Sequence, residues 1–170
     1  MISVDRTKNP PWFIRSPSLT FISLLLMVML VLPIPAAAEI KLLKGQTVYV
    51  PAYSHIYHGD REQPFYLAVT LSIRNTDPVH PITILSIDYF DSDGKRLKKL
   101  LENEVKLGAM ATAEYVVKES DKAGGSGANF IVMWKAEEKV TEPIIETVMI
   151  GTSTQQGISF TSRGRAIEEN

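Results

Sequence analysis

FYLAVTLSIRNTD, residues 65–77, is the stretch whose reading decides the fold. Phe65, Leu67, Val69, Leu71 and Ile73 occupy every second position, with Tyr66, Ala68, Thr70, Ser72 and Arg74 between them. An extended chain sends successive side chains to opposite faces, so this is a strand with one apolar and one mixed face. NTDPVHP, residues 75–81, is dense in turn formers and ends it. Upstream, QTVYVPAY at 46–53 is rich in β-branched and aromatic residues, and Pro51 marks an edge strand or the end of a strand. Downstream, ITILSIDYFD at 82–91 is a second strand with imperfect alternation. Ile82 and Ile84 share parity with Asp88, whereas Leu85, Ile87 and Tyr89 have the other, as if both faces were partly covered.

DSDG at 91–94 is a hairpin turn in which Gly94 supplies a positive φ. It fails as a calcium loop, because Tyr89 and Leu100 stand where an EF-hand needs acidic ligands. KRLKKLLENEVKL, residues 95–107, permits a short helix, but its place after a turn favours a returning strand over 97–101 followed by a loop. Further strands are expected at 111–121, 128–137, 144–153 and 157–165, with the tail 166–170 fraying. Phe130, Val132, Trp134 and Ala136 form the inward face of the 128–137 strand, which makes Trp134 a core residue. Six to eight short strands with regular turns and no helical period predict an all-β, antiparallel sandwich in one domain over 39–170. Pro51 and the lysines around Lys95–Lys99 are expected to blunt its open edges.

The N-terminal region has a different character. Arg6, Lys8 and Arg15 precede FISLLLMVMLVLPIPAAAE, residues 21–39, an apolar run broken by Pro33 and Pro35 and closed by three alanines. This is the order of a secretory signal peptide over 1–38, with cleavage expected between Ala38 and Glu39. The competing reading is a retained anchor, since residues 19–38 approach the roughly 20 apolar residues of a membrane span. After cleavage no stable membrane anchor is expected, and the protein is expected in the periplasm or on the extracytoplasmic face of the cell envelope. Removing three basic residues and one acid from the totals leaves 15 Lys+Arg against 18 Asp+Glu, a net charge of −3. That balance gives no electrostatic footprint for nucleic acid. With no cysteine in the chain, disulfides, thiolate metal sites and a cysteine nucleophile are excluded.

Three stretches carry polar chemistry. PAYSHIYHGDREQPF, residues 51–65, contains His55 and His58, flanked by Tyr53 and Tyr57. Three-residue spacing brings two histidines together on a helix but separates them on a strand, so a metal set of His55, His58 and Asp60 requires a turn. The same residues also suit a ligand-binding loop. DKAGGSGANF, residues 121–130, lacks phosphate-loop order; its glycines suit tight backbone geometry, and the Asn129 amide could pin the loop to a facing strand. In MIGTSTQQGISFTSRGR, residues 149–165, Ser153, Ser159 and Ser162 lie in no nucleophile motif. Arg163 and Arg165 have same-side strand spacing and suit a ligand carboxylate. No catalytic set emerges, so whether the protein is an enzyme stays open and no cofactor is implied. The expected function is non-catalytic binding of an envelope protein, glycan or small ligand through Tyr53, His55, Tyr57, His58, Asn129, Arg163 and Arg165. The alternative is a metal-binding protein or metal-dependent enzyme using His55 and His58.

Taken together, GQTVYVPAYSHIYHG, LSIRNTD, GGSGANFIVMWKA and ETVMIGTSTQQGISFTSRGR resemble the bacterial DUF3124 family, from Gly45 to Arg165. The resemblance implies an exported bacterial protein without an assigned activity, and it supplies no catalytic residues. Separately, LSIRNT and ITILSIDYFDSDGKRL are similar to two strands and a hairpin of immunoglobulin-like envelope modules. That similarity implies a fold and carries no function.

Overall fold

A computed structural model describes residues 40–152 and 157–169. The expected signal peptide, its cleavage point and Ser153 lie outside the described residues. Twelve strands fall within the unit Ile40–Asn170, and the described residues contain no helix. The strands are β1 (Leu42–Pro51), β2 (His55–His58), β3 (Gln63–Tyr66), β4 (Ala68–Arg74), β5 (Ile82–Phe90) and β6 (Arg96–Lys99). They continue with β7 (Val105–Leu107), β8 (Thr112–Val117), β9 (Asn129–Thr141), β10 (Ile144–Gly151), β11 (Ile158–Arg163) and β12 (Arg165–Glu169). A larger sheet runs β12-β1-β9-β5-β6, with β7 also paired to β5; a smaller one runs β11-β10-β4-β8; β2 and β3 form a hairpin of their own. Every pairing is antiparallel.

The two sheets share one core. The alternating residues Leu67, Val69, Leu71 and Ile73 are fully buried, and Phe65 is 5% exposed. From the larger sheet, Val50, Ile84, Tyr89, Phe130, Val132 and Trp134 are fully buried in the same cluster. The broken alternation of β5 has a local cause. Ile84 pairs with Trp134 and Ser86 with Met133, so Leu85 is an extra residue at a β-bulge. The bulge resets the parity, and Ile82, Ile84, Ile87 and Tyr89 all point inward. The strand therefore has one apolar face rather than two half-covered ones.

Other sequence expectations need correction. There are more strands than six to eight, because the hairpin within 55–66, the short β7 and the C-terminal β12 each pair. The tail does not fray from Arg165 to Glu169; it pairs along β1. Pro51 is on no edge. It is the last residue of β1, which lies between β12 and β9, where the missing N–H falls at the strand end. The lysine-rich β6 does lie at a sheet edge.

Two of the passages from one sheet to another are made by a single residue. Leu67 alone separates β3 from β4, and Gly164 alone separates β11 in one sheet from β12 in the other. Gly164 donates its N–H to the Ile145 carbonyl at 2.8 Å, and a Cβ there would stand 2.7 Å from Val48 Cγ1. Only hydrogen fits at this crossing. Nearby, the buried Thr147 hydroxyl lies 2.6 Å from the Pro51 carbonyl oxygen and 3.3 Å from that of Ser162. Its single proton serves the closer acceptor, bridging β10 to β1 across the sheets.

Candidate functional site

The polar segments converge where β1 ends. Beyond Pro51 the backbone runs beside the glycine loop: Ala52 N–H donates to Ala128 O at 2.8 Å and Ser54 N–H to Gly125 O at 3.0 Å. Ser54 O in turn accepts Leu67 N–H at 3.0 Å, which closes the base of the β2–β3 hairpin. Ser54 Oγ and the Tyr89 hydroxyl are buried together 2.9 Å apart. Burial pushes the Tyr89 phenol above its ordinary pKa, with the Ser54 hydrogen bond acting the other way. Gly124 packs against this pair, and a Cβ at that position would overlap the Tyr89 hydroxyl and stand 2.7 Å from Ser54 Oγ.

The same loop is tied to the β5–β6 turn. Ser92 N–H donates to Gly124 O at 3.0 Å, and Ser92 Oγ accepts Gly127 N–H at 2.9 Å. Lys98 Nζ reaches Asp121 Oδ2 at 2.5 Å, and this contact first of all lowers the pKa of the Asp121 carboxyl. The pin expected of Asn129 is thus made by Ser92, Ser54 and Lys98. Asn129 opens β9, opposite Pro51 on one side and Phe90 on the other. The Asp91–Gly94 turn is closed by its own aspartate, whose Oδ1 accepts Asp93 N–H at 3.0 Å and Lys95 N–H at 2.8 Å. Gly94 has a φ of 78°.

On this base stands the hairpin. His55 pairs with Tyr66, Ile56 with Phe65, Tyr57 with Pro64 and His58 with Gln63. The tip turns through Gly59 at φ 67° and Glu62 at φ 50°, and Asp60 lies exposed between them. Strand alternation sorts the side chains. On one face His55 meets Tyr57 edge-on at 5.0 Å and Tyr66 at 5.9 Å. Lys122 of the glycine loop places its Nζ 4.0 Å from the Tyr66 ring centre. Tyr57 is 58% exposed. On the other face His58 meets Phe65 at 6.1 Å. A depression of about 410 Å³ beside the first face is lined by Tyr66, Glu119, Ser120 and Lys122.

The two histidines therefore look away from each other. The turn needed to bring them together lies beyond His58 instead of between them, and among the described residues no three His, Asp or Glu side chains gather as a metal set. His55 Nδ1 is buried without a protein hydrogen-bond partner. The third histidine, His80, is engaged elsewhere, with Nδ1 3.4 Å from Asp77. Ser159 and Ser162 lie on β11. Tyr53 packs edge-on against Phe160 at 5.7 Å, at the root of the hairpin.

Arg163 and Arg165 are not same-side neighbours. Gly164 divides them between sheets, with Arg163 opposite Glu146 and Arg165 opposite Tyr49. Arg163 lines a separate cavity that contains no residue of the hairpin or glycine loop. Of the residues singled out from sequence, Tyr53, His55, Tyr57, His58 and Asn129 are thus gathered around the end of β1, and Arg163 is not. Sequence reasoning missed Tyr66 and Lys122. Tyr66 carried a usable signal, since it lies on the mixed face of its strand; Lys122 carried none beyond its place beside the glycines.

Comparison with known proteins places these features in a wider group. A family model described as Protein of unknown function (DUF3124) matches residues 45–167. The crystal structure of Thermotoga maritima 1070 is similar to this chain at a TM-score of 0.43 and 15% sequence identity, over 75% of this chain and 97% of that one. Among curated proteins none matches.

Proposed function

The chain belongs to the DUF3124 family, and from that premise we propose that it is a non-catalytic binding module of the bacterial envelope, exported by a signal peptide over residues 1–38. Its contact surface is the outer face of the β2–β3 hairpin. The observation that carries this reading is the ring cluster of exposed Tyr57 with half-buried His55 and Tyr66, and Lys122 against Tyr66. Aromatic rings combine large contact area with little rotamer entropy to lose, which suits them to anchoring a partner. The glycine loop, Ser92 and the Ser54–Tyr89 pair hold the hairpin base in place, so little ordering is needed on binding. The two-sheet architecture supports an immunoglobulin-like sandwich as the scaffold, with the hairpin as an added arm. A protein or glycan of the envelope is the expected partner class.

The test is photo-crosslinking in the producing cells, with a benzophenone side chain replacing Tyr57 and, as control, Val79, which is 70% exposed on another loop. A discrete adduct from position 57, absent from position 79 and weakened by Tyr66→Ala, is the expected result. Equal labelling at both positions, or none at 57, would sink the proposal.

A further inference from the structure

The smaller sheet ends on β8, and the outer edge of that strand is open. Asn75 N–H donates to Ala111 O, and Gly164 N–H to Ile145 O. Carried through the registers of β11, β10, β4 and β8, both bonds give one parity: Ala113, Tyr115 and Val117 turn their backbone groups towards β4. Thr112, Glu114 and Val116 therefore turn theirs to the free side, where among the described residues nothing bonds them. Sheet edges are usually blunted by charge, bulges or shortness. β6 carries lysines and a bulge, β12 ends in two glutamates and has a bulge, and β7 has only three residues. β8 has a regular pairing with β4 and a single charge, Glu114, among its six residues. Its outward side chains are Thr112, Glu114 and Val116, followed by Lys118, all exposed; Val116 is 63% exposed. Among the described residues neither Glu114 nor Lys118 belongs to an ion pair.

We propose that β8 pairs antiparallel with β8 of a second copy of this chain across a two-fold axis, joining the two four-stranded sheets into one. The side chains choose the register. An axis at Glu114 opposes two carboxylates, and an axis at Tyr115 sets Glu114 against Val116. An axis at Val116 instead brings Val116 to its counterpart and each Glu114 to the other copy's Lys118. There the two Val116 residues exchange both backbone bonds, and each Lys118 N–H meets a Glu114 carbonyl, while the Lys118 carbonyl already accepts Asp121 N–H at 2.9 Å. On the inner face the same register sets half-buried Tyr115 opposite Val117, an aromatic and β-branched pair. β11, the other edge of the smaller sheet, turns Ser159, Thr161 and Arg163 outward and has no opposite charge to match its own. The complementarity of β8 with itself is what points to a second copy.

Analytical ultracentrifugation of the protein purified from the producing cells tests it. A reversible dimer is expected. Glu114→Lys or Lys118→Glu, each of which sets like charges opposite, should weaken it by about tenfold or more, and the double exchange should restore it. Because the chain has no cysteine, single cysteines report the register. Val116→Cys should oxidise to a disulfide-linked pair, since hydrogen-bonded residues directly opposite lie about 5.5 Å apart between Cα atoms, within disulfide reach. Val79→Cys and Thr161→Cys should remain unlinked. A monomer at every concentration up to about 1 mM would overturn the proposal. So would a dimer indifferent to both single exchanges, a dimer that the double exchange does not restore, equal linking from all three cysteine positions, or capture of an unlike protein by Cys at position 116 in place of a second copy.

Discussion

Gly124 shows how much a single residue decides here. It is buried against Ser54 and Tyr89, the pair that joins the root of the hairpin to the core. Gly124→Ala pushes a methyl into the Tyr89 hydroxyl and should destabilise the fold by about 1–3 kcal/mol, read as a lower urea midpoint. At another loop, Asp77 Oδ1 accepts Val79 N–H at 2.9 Å and His80 N–H at 2.8 Å, and Oδ2 accepts Thr141 N–H at 3.2 Å. These donors, His80 first, lower the carboxyl from an ordinary 3.8 to about 2. A group with a depressed folded pKa stabilises the protein above its unfolded value and loses that contribution as pH falls through the folded one. The urea midpoint should therefore decline between pH 3.8 and 2, and Asp77→Asn should flatten that limb while lowering the midpoint at neutral pH. An unchanged acid limb in the variant would refute the assignment. At this scale the histidines were conspicuous in the sequence by type. Their opposed directions follow from three-residue spacing once the segment is a strand; the approach of Lys122 to Tyr66 from 56 positions away was not legible, because nothing local encodes a contact made by two loops.

Among the elements, β4 and β5 make an instructive pair. The alternation over 65–74 was legible, and the structure buries Phe65, Leu67, Val69, Leu71 and Ile73, although it divides the stretch into β3 and β4 at Leu67 and buries Ser72 as well. The alternation of β5 was misread, since one inserted residue inverts parity and a pattern reading assumes none. Removing Leu85 heals the alternation: Ile82, Ile84, Ile87 and Tyr89 still face inward, and the variant should retain a cooperative melt with a loss of a few kcal/mol, roughly the scale of one core defect. Removing Thr70 from β4 instead turns Leu71 and Ile73 to the solvent face, forfeiting roughly 1.5–3 kcal/mol for each, and should abolish the cooperative transition. If the two deletions prove equally harmful in thermal unfolding, the bulge does not have the role given to it. The bridge from Thr147 to Pro51 offers a second check. Thr147→Val keeps the volume but leaves a buried carbonyl without its donor, and should cost about 1–3 kcal/mol in chemical denaturation.

For the molecule as a whole, the proposed export predicts mature protein beginning at Glu39, which N-terminal sequencing of the cell-derived protein would check; an intact N-terminus would favour the anchor reading. Several properties were settled by the sequence alone. Composition removed every cysteine chemistry, and period-two patterning specified strands because side-chain direction follows directly from backbone geometry. Turn residues set most of the boundaries, since their backbone angles are local properties. The tertiary structure decided the rest. It distributed strands between two sheets and made a paired strand of a polar tail whose only signal is a neighbour's free edge. It also split Arg163 from Arg165 at Gly164, and placed Gln46 and Glu142, 96 residues apart, around one cavity. Pairing partners lie far apart in sequence, and a strand's pattern states which face it buries without naming the strand beside it.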